Sequence, residues 1–461
     1  MAGFLEEVEH PHALVASRRG ESIIMVIGDE DFELPYEEVR VSRGLRELEL
    51  DLVSTGERIK EIQSEINRHT AHISLLGEAL ESKREELEFA EVAGGVGQSG
   101  PISYLQGFCP GDLCGGLKDK VIRMGWGLMI EDPAPGDEVP TLLRNHKWLR
   151  IVEPVFRFMG TVPGYDEYDV SFWFLLSLSL FFAMLVGDGG YGILFLVGTY
   201  LLRRRWRTAG KEPFLLLYVF SASTIGWGLI TGTWFGVERL AHIPPLNRLV
   251  IPVLNSYSGD QDFMIGFCFI LGAVHLSIAH MIRAVRLWNS LKILAEIGWI
   301  LILWFLYFLA GYFVLGRPLP DRSTALLSLG LILVALFSDP KRNFVKSALL
   351  GIGDLPFNIM RSFSDLVSYL RLFAVGYATL VIAVSFNQMA LNLWEGSILK
   401  ALGAVLILLT GHTLNIMLAA MAVLVHGIRL NMLEFSSHLG MNWTGRMFRP
   451  FRRRLGSGVA E

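Results

Sequence analysis

The 461-residue chain is 52% hydrophobic and only 19% charged, whereas an ordinary soluble domain has about 25% charged residues. Its formal net charge of −4 combines two opposed parts, since residues 1–170 carry 32 Asp and Glu against 17 Lys and Arg, and residues 171–461 carry 13 against 24. These values exclude a single soluble globule and favour an acidic soluble part joined to a basic membrane part. Nucleic acid is not an expected partner, because the positive charge flanks apolar spans and no RNA- or DNA-binding module is visible.

The N-terminal segment has no features of a secretory signal. Residues 1–20 are acidic and mixed in character, so the basic and apolar regions of a signal peptide are missing and the N-terminus is expected in the cytoplasm. The three cysteines, Cys109, Cys114 and Cys268, exclude a disulfide scaffold. They also lack the spacing and the histidine pair of a zinc site. The sequence therefore predicts no metal site.

The first predicted elements are a buried strand at 21–27 and a long helix at about 41–91. From Leu45, steps of alternately three and four residues lead to Leu87, and ten of these thirteen positions are Leu or Ile. Such a heptad pattern is typical of a coiled-coil seam. No second heptad of equal length occurs in the chain, so the partner helix is expected to come from another subunit or another copy.

The region after this helix predicts a small α/β lobe from which the coiled coil projects. Its predicted parts are a glycine-rich stretch at 94–100, a strand at 102–108, a short helix at about 112–124 and a strand at 127–130. The domain prediction is therefore a cytoplasmic α/β lobe with its coiled-coil helix at 1–155, followed by an all-α polytopic membrane domain at 156–461.

Eight transmembrane helices are predicted in the membrane domain, because a span needs about 20 mostly apolar residues. They cover about 172–187, 189–203, 213–236, 263–284, 291–315, 322–337, 361–394 and 398–436. The first two come from one apolar run that Gly187-Asp188-Gly189-Gly190 interrupts. If that run enters the membrane and turns back as two short helices, the loops on the cytoplasmic side hold 16 Lys and Arg, and the loops on the other side hold 5. This obeys the positive-inside rule and predicts both termini in the cytoplasm.

A basic cluster near the C-terminus supports the same orientation. Its members are Arg446, Arg449, Arg452, Arg453 and Arg454. The cluster is expected to anchor the C-terminus at the cytoplasmic surface.

The last two predicted spans are too long for upright helices. Their 34 and 39 residues would run about 51 and 58 Å, against a hydrocarbon core of about 30 Å, so they are expected to tilt. Each contains one arginine, Arg371 or Arg429, and inserting such a charge costs at least about 2.5–3.5 kcal/mol. Neither arginine has a carboxylate at i±3 or i±4. Any acidic partner is therefore expected on another helix or another subunit.

Further polar side chains share a helix face with each arginine. Asp365 and Ser368 lie on the face of Arg371. The face of Arg429 carries His412, Asn415, His426 and Glu434. These two stripes indicate a hydrated path along the helices. The alternatives are an internal ion pair, such as Arg429 with Asp365, and histidines that only form hydrogen bonds between helices.

Two nucleotide-binding patterns can be compared with the sequence. The stretch from Gly187 to Gly192 matches G-x-G-x-x-G, but it lies in an apolar run without a βαβ unit. This context favours a tight re-entrant turn with a buried aspartate over a dinucleotide loop. The pattern G-x-x-x-x-G-K-[ST] does not occur. The sequence therefore predicts no nucleotide site of that type and no cofactor.

Five stretches of the chain share the sequence pattern of one known family. They are FFAMLVGDGGYGILF, GTWFG, SDLVSYLRLFAVGYATLVIA, GHTLNIMLAAMAVLVHGIRLNMLEF and FRPF. Together they resemble the membrane subunit of rotary V/A-type ATPases, called subunit a in eukaryotes and subunit I in bacteria and archaea. The resemblance runs in order from about residue 140 to the C-terminus. In addition, LQGFCP near 105–110 resembles the end of the family's cytoplasmic lobe.

The resemblance implies that the last two helices tilt against a ring of proteolipid c subunits and give ions two offset half-channels to a ring carboxylate. Arg371 then matches the essential arginine, Arg429 the second arginine and Glu434 the acidic residue that follows it. The other implied partners are peripheral stalk subunits at the coiled coil, the V1/A1 sector and membrane lipid. The implied location is a prokaryotic cell membrane.

The sequence departs from the family's pattern in two places. Its cytoplasmic region is much shorter, with one coiled-coil strand where two antiparallel strands are expected. Ala419 and Ala420 stand where eukaryotic members carry a channel glutamate, and Thr379 stands where they carry a histidine, which points to a prokaryotic form. H⁺ and Na⁺ both stay open as the coupling ion. Two other functions also stay open, namely a secondary transporter with a soluble regulatory arm and a membrane scaffold with structural arginines.

Overall fold

The computed structural model describes residues 12–18, 21–26, 44–134, 136–206, 210–257, 259–338, 344–394 and 397–451. The chain divides into two units, Met1–Gln106 with Pro450–Glu461, and Gly107–Arg449. This division falls after residue 106, whereas the predicted domain boundary is at 155. Three predicted features lie outside the described residues, namely residues 41–43 of the long helix, Ile27 of the first strand and the arginines at 452–454.

The first unit contains two antiparallel strand pairs. Strand β1 (His12–Arg18) pairs with β2 (Glu21–Val26), and β3 (Gly97–Ser99) pairs with β4 (Ile102–Tyr104). Only β2 and β4 were predicted, and the predicted strand at 102–108 is limited to three residues. The predicted strand at 127–130, which falls in the second unit, is wrong, because no described segment pairs with it.

The long helix α1 (Leu45–Gly94) has 50 residues and lies where the long helix was predicted. Its seam side chains are exposed, among them Leu52 at 76%, Ile66 at 59% and Leu76 at 68%. No second long helix is present among the described residues of this unit. The apolar seam is therefore left without a partner helix from its own unit.

The second unit is built from helices. The short helices α2 (Cys114–Arg123) and α3 (Glu153–Met159) come first. They are followed by α4 (Ser171–Val186), α5 (Gly189–Arg205), α6 (Lys211–Thr231), α7 (Glu238–Ala241), α8 (Pro244–Asn247), α9 (Gln261–Arg286), α10 (Lys292–Leu315), α11 (Ser323–Phe337), α12 (Phe344–Val367), α13 (Leu370–Leu393), α14 (Ile398–Ala422) and α15 (Ser436–Leu439). Asp112, just before α2, accepts a hydrogen bond from Arg144, which follows α2 in the chain. This hydrogen bond lowers the pKa of the Asp112 carboxyl group.

Five helical segments of the described chain are long and apolar enough to cross a membrane, namely α6, α9, α10, Gly353–Leu393 and Ile398–Leu439. A sixth is obtained if α4 and α5 are counted as one bent span. Helices α4, α5 and α11 have 16, 17 and 15 residues, fewer than the about 20 that a span needs. The protein is thus a mostly helical membrane protein, and the predicted number of eight spans is not confirmed.

The apolar run at 172–202 bends sharply where the Gly-Asp motif interrupts it. The chain direction bends by 118° between α4 and α5. Gly187 caps α4 with a φ of +69°, a backbone conformation that glycine adopts without steric cost. The side chain of Asp188 caps α5. This is the turn with a buried aspartate that the sequence favours over a dinucleotide loop.

The last two spans are longer than predicted. The run Gly353–Leu393 has 41 residues and the run Ile398–Leu439 has 42, against predicted spans of 361–394 and 398–436. Helices α12 and α13 are separated only by Ser368 and Tyr369. Helix α14 continues into α15 through two π-helical segments, Val423–Gly427 and Leu430–Phe435. At 1.5 Å per residue each run is about 60 Å long, twice the thickness of the hydrocarbon core.

Three clusters of buried apolar side chains hold the second unit together. One joins α4 and α9 to the C-terminal helices and includes Leu276 and Leu430. Another packs the segment around α3 against the residues that follow α15, with Phe156 and Trp443 at its centre. The third joins α9, α10 and α12 around Phe269. Helix α9 contributes to all three clusters, so the C-terminal runs are held against a common support.

Candidate functional site

Both intramembrane arginines converge on the same carboxylate. Arg371 lies in the first turn of α13, and Arg429 lies between the two π-helical segments. Arg371 Nη2 is 3.8 Å from Glu434 Oε1, and Arg429 Nε is 3.7 Å from the same oxygen. A tight charge-assisted hydrogen bond measures about 2.7–2.9 Å. The two guanidinium groups therefore share one carboxylate without either holding it closely.

Glu434 itself is buried, with 3% of its side chain exposed. Its second oxygen, Oε2, has no hydrogen-bond partner among the described residues. If Glu434 is ionised, two positive charges face one negative charge. Glu434 is buried, whereas the side chains of Arg371 and Arg429 are 23% and 52% exposed. The cluster thus has an excess of one positive charge within two apolar helical runs, where an unpaired charge is costly.

The expectation that Arg429 lacks an acidic partner on its own helix is wrong. An α-helix places the side chains at i±3 and i±4 beside residue i, and Glu434 is at i+5. The π-helical segment Leu430–Phe435 widens the turn, because π-helical hydrogen bonds join residues five apart. This brings Glu434 beside Arg429. The alternative pair of Arg429 with Asp365 is not formed, since Asp365 pairs with His438.

His426 completes the arginine cluster. Its Nδ1 atom lies 3.4 Å from Arg371 Nη1. Because arginine can only donate hydrogen bonds, the neutral imidazole accepts this weak contact. The structure therefore brings together four of the eight predicted site residues, namely Arg371, Arg429, Glu434 and His426.

Asp365 and Ser368 contact other groups than the two guanidinium groups in the described part of the chain. Asp365 Oδ2 is 3.2 Å from His438 Nε2. The Ser368 hydroxyl donates to the Ser364 carbonyl at 2.9 Å, one turn earlier on α12. The prediction that both residues share a face with Arg371 stays a prediction.

His412 and Asn415 belong to a second polar cluster around Tyr191. Tyr191 Oη lies 2.7 Å from His412 Nδ1, and Asn415 Nδ2 donates to Tyr191 Oη at 3.0 Å. Asn415 also donates to the Thr379 carbonyl at 2.8 Å, and His412 Nε2 is 3.2 Å from Asn387 Oδ1. The sequence did not single out Tyr191, although it lies inside the Gly-Asp-Gly-Gly-Tyr-Gly motif.

Asp188 holds the turn that carries Tyr191. Its carboxylate accepts hydrogen bonds from the amides of Gly190, Phe235 and Gly236 at 2.7, 2.8 and 3.0 Å. Phe235 has a φ of +52°, a conformation that is strained for a bulky residue. The aspartate therefore joins the α4–α5 turn to the GTWFG loop and stabilises both.

A cavity lies between the N-terminal end of α9 and the first half of α13. It is lined by Asn255, Ser256, Asp260 and Gln261 near the start of α9 and by Leu372, Phe373 and Gly376 of α13. Gln261 Nε2 donates to Tyr377 Oη at 3.0 Å. The cavity therefore extends from polar groups at the start of α9 to the first two turns of α13, next to Arg371.

A third polar cluster joins the other end of α9 to α10, α12 and α15. His280 Nδ1 is 2.7 Å from Glu296 Oε2, and His280 Nε2 is 3.0 Å from His438 Nδ1. Arg283 Nη2 is 3.2 Å from Glu296 Oε1. With the contact of His438 to Asp365, five titratable side chains form one continuous row. From this row the sequence analysis selected only Asp365 as a candidate site residue, and for His280 it favoured a simple hydrogen bond between helices.

Comparison with known proteins gives a consistent set of relatives. No family model matches the chain. The chain is 33% identical to V-type ATP synthase subunit I of Borreliella burgdorferi over 426 residues, which are 87% of this chain and 70% of that protein. It is 32% identical to V-type ATP synthase subunit I 1 of Treponema pallidum over 408 residues, with shares of 86% and 64%. A-type ATP synthase subunit I of Methanocaldococcus jannaschii is 25% identical over 364 residues, with shares of 70% and 50%.

Proposed function

This chain belongs to the V-type ATP synthase subunit I family, and on that premise we propose that it is the ion-translocating stator subunit of a rotary ATPase or ATP synthase. In this function the last two helical runs face a ring of proteolipid c subunits. Ions reach and leave the ring carboxylates through two half-channels, and Arg371 separates the half-channels. The subunit hydrolyses no nucleotide itself, since the attached V1/A1 sector carries that reaction.

The observation that carries the proposal is the sharing of Glu434 by Arg371 and Arg429. A cluster with one excess positive charge in an apolar region is stabilised when a second carboxylate approaches, and a passing ring carboxylate supplies one. A guanidinium group stays charged at any relevant pH, so it attracts the carboxylate and favours release of the ion bound there. Because Arg371 is held by contacts of 3.4 and 3.8 Å, it can exchange Glu434 for the ring carboxylate.

Two polar regions on opposite sides of Arg371 supply the proposed half-channels. The cavity beside Gln261 lies at the start of α9, and the row that contains His280 lies near its end. These two residues are 19 positions apart, or about 28 Å along the helix axis. Each region reaches the neighbourhood of Arg371 on the α12–α13 run, at Leu372 on one side and at Asp365 on the other. Two access paths that end at different depths in the membrane suit an ion that the rotating ring carries from one path to the other.

The surface of the last two runs supports a partner that packs alongside them. In their most apolar stretches only 28% and 22% of the residues are buried within the chain. Large apolar side chains such as Met417 and Leu424 are exposed on this surface at 63% and 45%. A proteolipid ring would cover this surface, with lipid on the remainder.

The exposed seam of α1 supports attachment to a peripheral stalk. Its Leu and Ile side chains follow a heptad over about twelve turns of helix, and a seam of this kind is buried only when a partner helix packs against it. We assign that place to a stalk subunit, which would hold the membrane subunit against the torque of the ring. The proposed orientation puts α1 and both termini in the cytoplasm of a prokaryotic cell.

The decisive experiment replaces Arg371 in the complete complex. The complex with Arg371→Ala is purified, reconstituted into vesicles and assayed for ATP-driven ion pumping. Loss of pumping with an intact complex is the expected result, because no fixed charge then separates the half-channels. Arg248→Ala, at an exposed position after α8, is the control and should pump like the wild type.

Two other results would contradict the proposal. Normal pumping by the Arg371→Ala complex would show that no essential charge resides there. Failure of the Arg371→Ala chain to assemble, while the Arg248→Ala chain assembles, would favour the scaffold with structural arginines.

A further inference from the structure

The row of polar groups at the end of α9 has the geometry of a hydrogen-bonded wire. Its order is Glu296, His280, His438 and Asp365, with contacts of 2.7, 3.0 and 3.2 Å. Each imidazole uses both ring nitrogens within the row, one toward each neighbour. His280, Glu296 and His438 are all buried, at 3%, 5% and 8% exposure.

Such a row has two states that satisfy every hydrogen bond. In the first, protonated Glu296 donates to His280 Nδ1, His280 Nε2–H donates to His438 Nδ1, and His438 Nε2–H donates to the Asp365 carboxylate. If each of these three protons moves along its hydrogen bond, Glu296 becomes the carboxylate and Asp365 becomes the acid. Every nitrogen then has the opposite role. The net result is the transfer of one proton from Glu296 to Asp365, with no charge left on either ring.

Arg283 gives this transfer a direction. Its guanidinium lies 3.2 Å from Glu296 and donates to the His438 carbonyl at 3.3 Å. A fixed positive charge stabilises the state in which Glu296 is ionised, and this is the state after the proton has moved on. Arg283 is partly exposed, at 35% of its side chain, and lies in the last turn of α9, close to the connection between α9 and α10. The predicted orientation places that connection, between the fourth and fifth predicted spans, on the cytoplasmic side.

The same geometry is unsuited to Na⁺. Hard cations are bound by several oxygen ligands, whereas the centre of this row is a contact between two ring nitrogens only 3.0 Å apart. A cation could pass there only if the contact opened. A purely structural role is also disfavoured, because replacing buried charged groups by apolar ones is often neutral or stabilising. Four adjacent titratable side chains are therefore a costly way to join helices.

We propose that the coupling ion of this subunit is the proton, and that it moves between the cytoplasm and the ring through the row Glu296–His280–His438–Asp365. This inference rests on the proposed stator function and adds the identity of the ion. Asp365, with 18% of its side chain exposed, is the end of the row on the α12–α13 run that carries Arg371. Glu296 is the end at the cytoplasmic side.

The first test identifies the ion with the wild-type complex. The complex is reconstituted into vesicles of phosphatidylethanolamine and phosphatidylglycerol, and a pH-sensitive dye and radioactive sodium are followed after ATP addition. We expect acidification in sodium-free buffer, at a rate that added sodium does not change. Uptake of sodium that persists in the presence of a protonophore would overturn the inference.

The second test interrupts the row with matched variants. His280→Asn retains a polar group toward Glu296 but cannot pass a proton to His438, so the pumping rate should fall by at least about tenfold. His275→Asn is the control, since His275 lies on the same helix, is similarly buried at 5% exposure and bonds Tyr369 through Nδ1 at 2.7 Å. It should pump close to the wild-type rate. Equal rates for the two variants would overturn the relay.

A double variant separates a relay from a structural contact. A row that is already interrupted at His280 loses little more when His438 is also replaced, so His280→Asn with His438→Asn should pump like either single variant. Losses that add would instead indicate independent structural roles and would overturn the relay. If the histidine variants do not assemble, the near-isosteric Glu296→Gln provides the same interruption, and its normal pumping would count against the row.

The outcomes also distinguish this inference from the proposed function. If Arg371→Ala abolishes pumping but the wild type transports sodium, the stator function stands and the proton relay is wrong. If Arg371→Ala pumps normally, the stator function itself fails.

Discussion

Helices α6, α9 and α10 bury 39%, 50% and 44% of their most apolar stretches within the chain, whereas the two long C-terminal runs bury only 28% and 22%. The first group is held by side chains of its own chain. The second group has similar hydropathy, 1.8 against 1.7 to 2.2, so composition does not explain the difference. The less buried runs are surfaces to which something outside this chain can attach, and they also carry both arginines.

The two regions meet where the polar groups are concentrated. Glu296 and His280 come from the well-buried group, while His438 and Asp365 come from the C-terminal runs. We call α6, α9 and α10 the packed region and the two long C-terminal runs the open region. The packed region supplies fixed hydrogen-bond partners, and the open region supplies the groups that we propose to exchange ions with a ring. Three predictions follow the contrast between these regions, from the largest expected effect on stability to the smallest.

The largest effect is expected at Asp188, whose side chain joins the α4–α5 turn to the loop that follows the well-buried helix α6. Asp188→Ala removes three hydrogen bonds to buried amides and also the support of the left-handed Phe235. Since a hydrogen bond to a charged group contributes about 1.5–3 kcal/mol, and removing several together is not additive, we expect a loss of about 3 kcal/mol. The measurement is the thermal midpoint of the detergent-solubilised chain.

The control for this change is Asp260→Ala at the start of α9. Asp260 also caps a helix, but it accepts a single exposed hydrogen bond, from the Asp262 amide at 2.9 Å. Its loss should cost about 1 kcal/mol. Equal midpoints for the two variants would mean that the Asp188 turn does not hold the packed region.

A smaller effect is expected at Gly376, where the open region touches α4. A Cβ atom at Gly376 would overlap the Met184 carbonyl oxygen of α4, so Gly376→Ala should push α13 away from α4. Overpacking of this kind costs about 1–3 kcal/mol. Gly311→Ala is the matched control in α10, because nothing lies within 4 Å of a Cβ atom there. A thermal midpoint that falls for Gly311→Ala as much as for Gly376→Ala would contradict the close approach of the two helices.

The smallest effect on stability is expected on the open surface. Ala420 is exposed on α14, so Ala420→Trp should leave the thermal midpoint of the chain unchanged. The bulky ring should nevertheless weaken association with proteolipid by at least about tenfold, which corresponds to about 1.4 kcal/mol. The readout is the amount of proteolipid that co-purifies with the detergent-solubilised chain. Ala325→Trp, at an exposed position of α11, should not change it.

If both tryptophan variants retain the ring, the surface of the last two runs is not the ring interface. If both lose it, the effect is not specific to these runs, and the contrast between the two regions would not have the meaning proposed for it.

Local features of this protein could be predicted from the sequence to a useful extent. The predicted long helix appears as α1, and the Gly-Asp motif appears as a 118° bend. Both depend on residues close together in the chain. The predicted strand at 127–130 fails because a strand needs a partner, and none of the described residues supplies one.

Of the candidate site, the sequence predicted mainly the residues whose charge is most unfavourable inside a membrane. Arg371 and Arg429 stand out because charge inside an apolar run is expensive wherever the helix packs. Their relation to Glu434 depends on a π-helical turn, which a search at i±3 and i±4 cannot detect. No comparable signal marks Tyr191, His280, Glu296 or His438. A single polar residue in an apolar helix is as compatible with a simple hydrogen bond between helices as with a functional role.

By itself, then, the sequence determined the membrane character of the chain, the sharp turn at Gly187, the single apolar seam and the two unusual arginines. These features follow from composition, periodicity and the cost of burying charge, all of which are local. Only the tertiary structure decided which polar groups meet, namely two guanidinium groups at Glu434 and a row of histidines between Glu296 and Asp365. Those contacts join residues up to 158 positions apart, and they depend on how helices cross and where one of them widens.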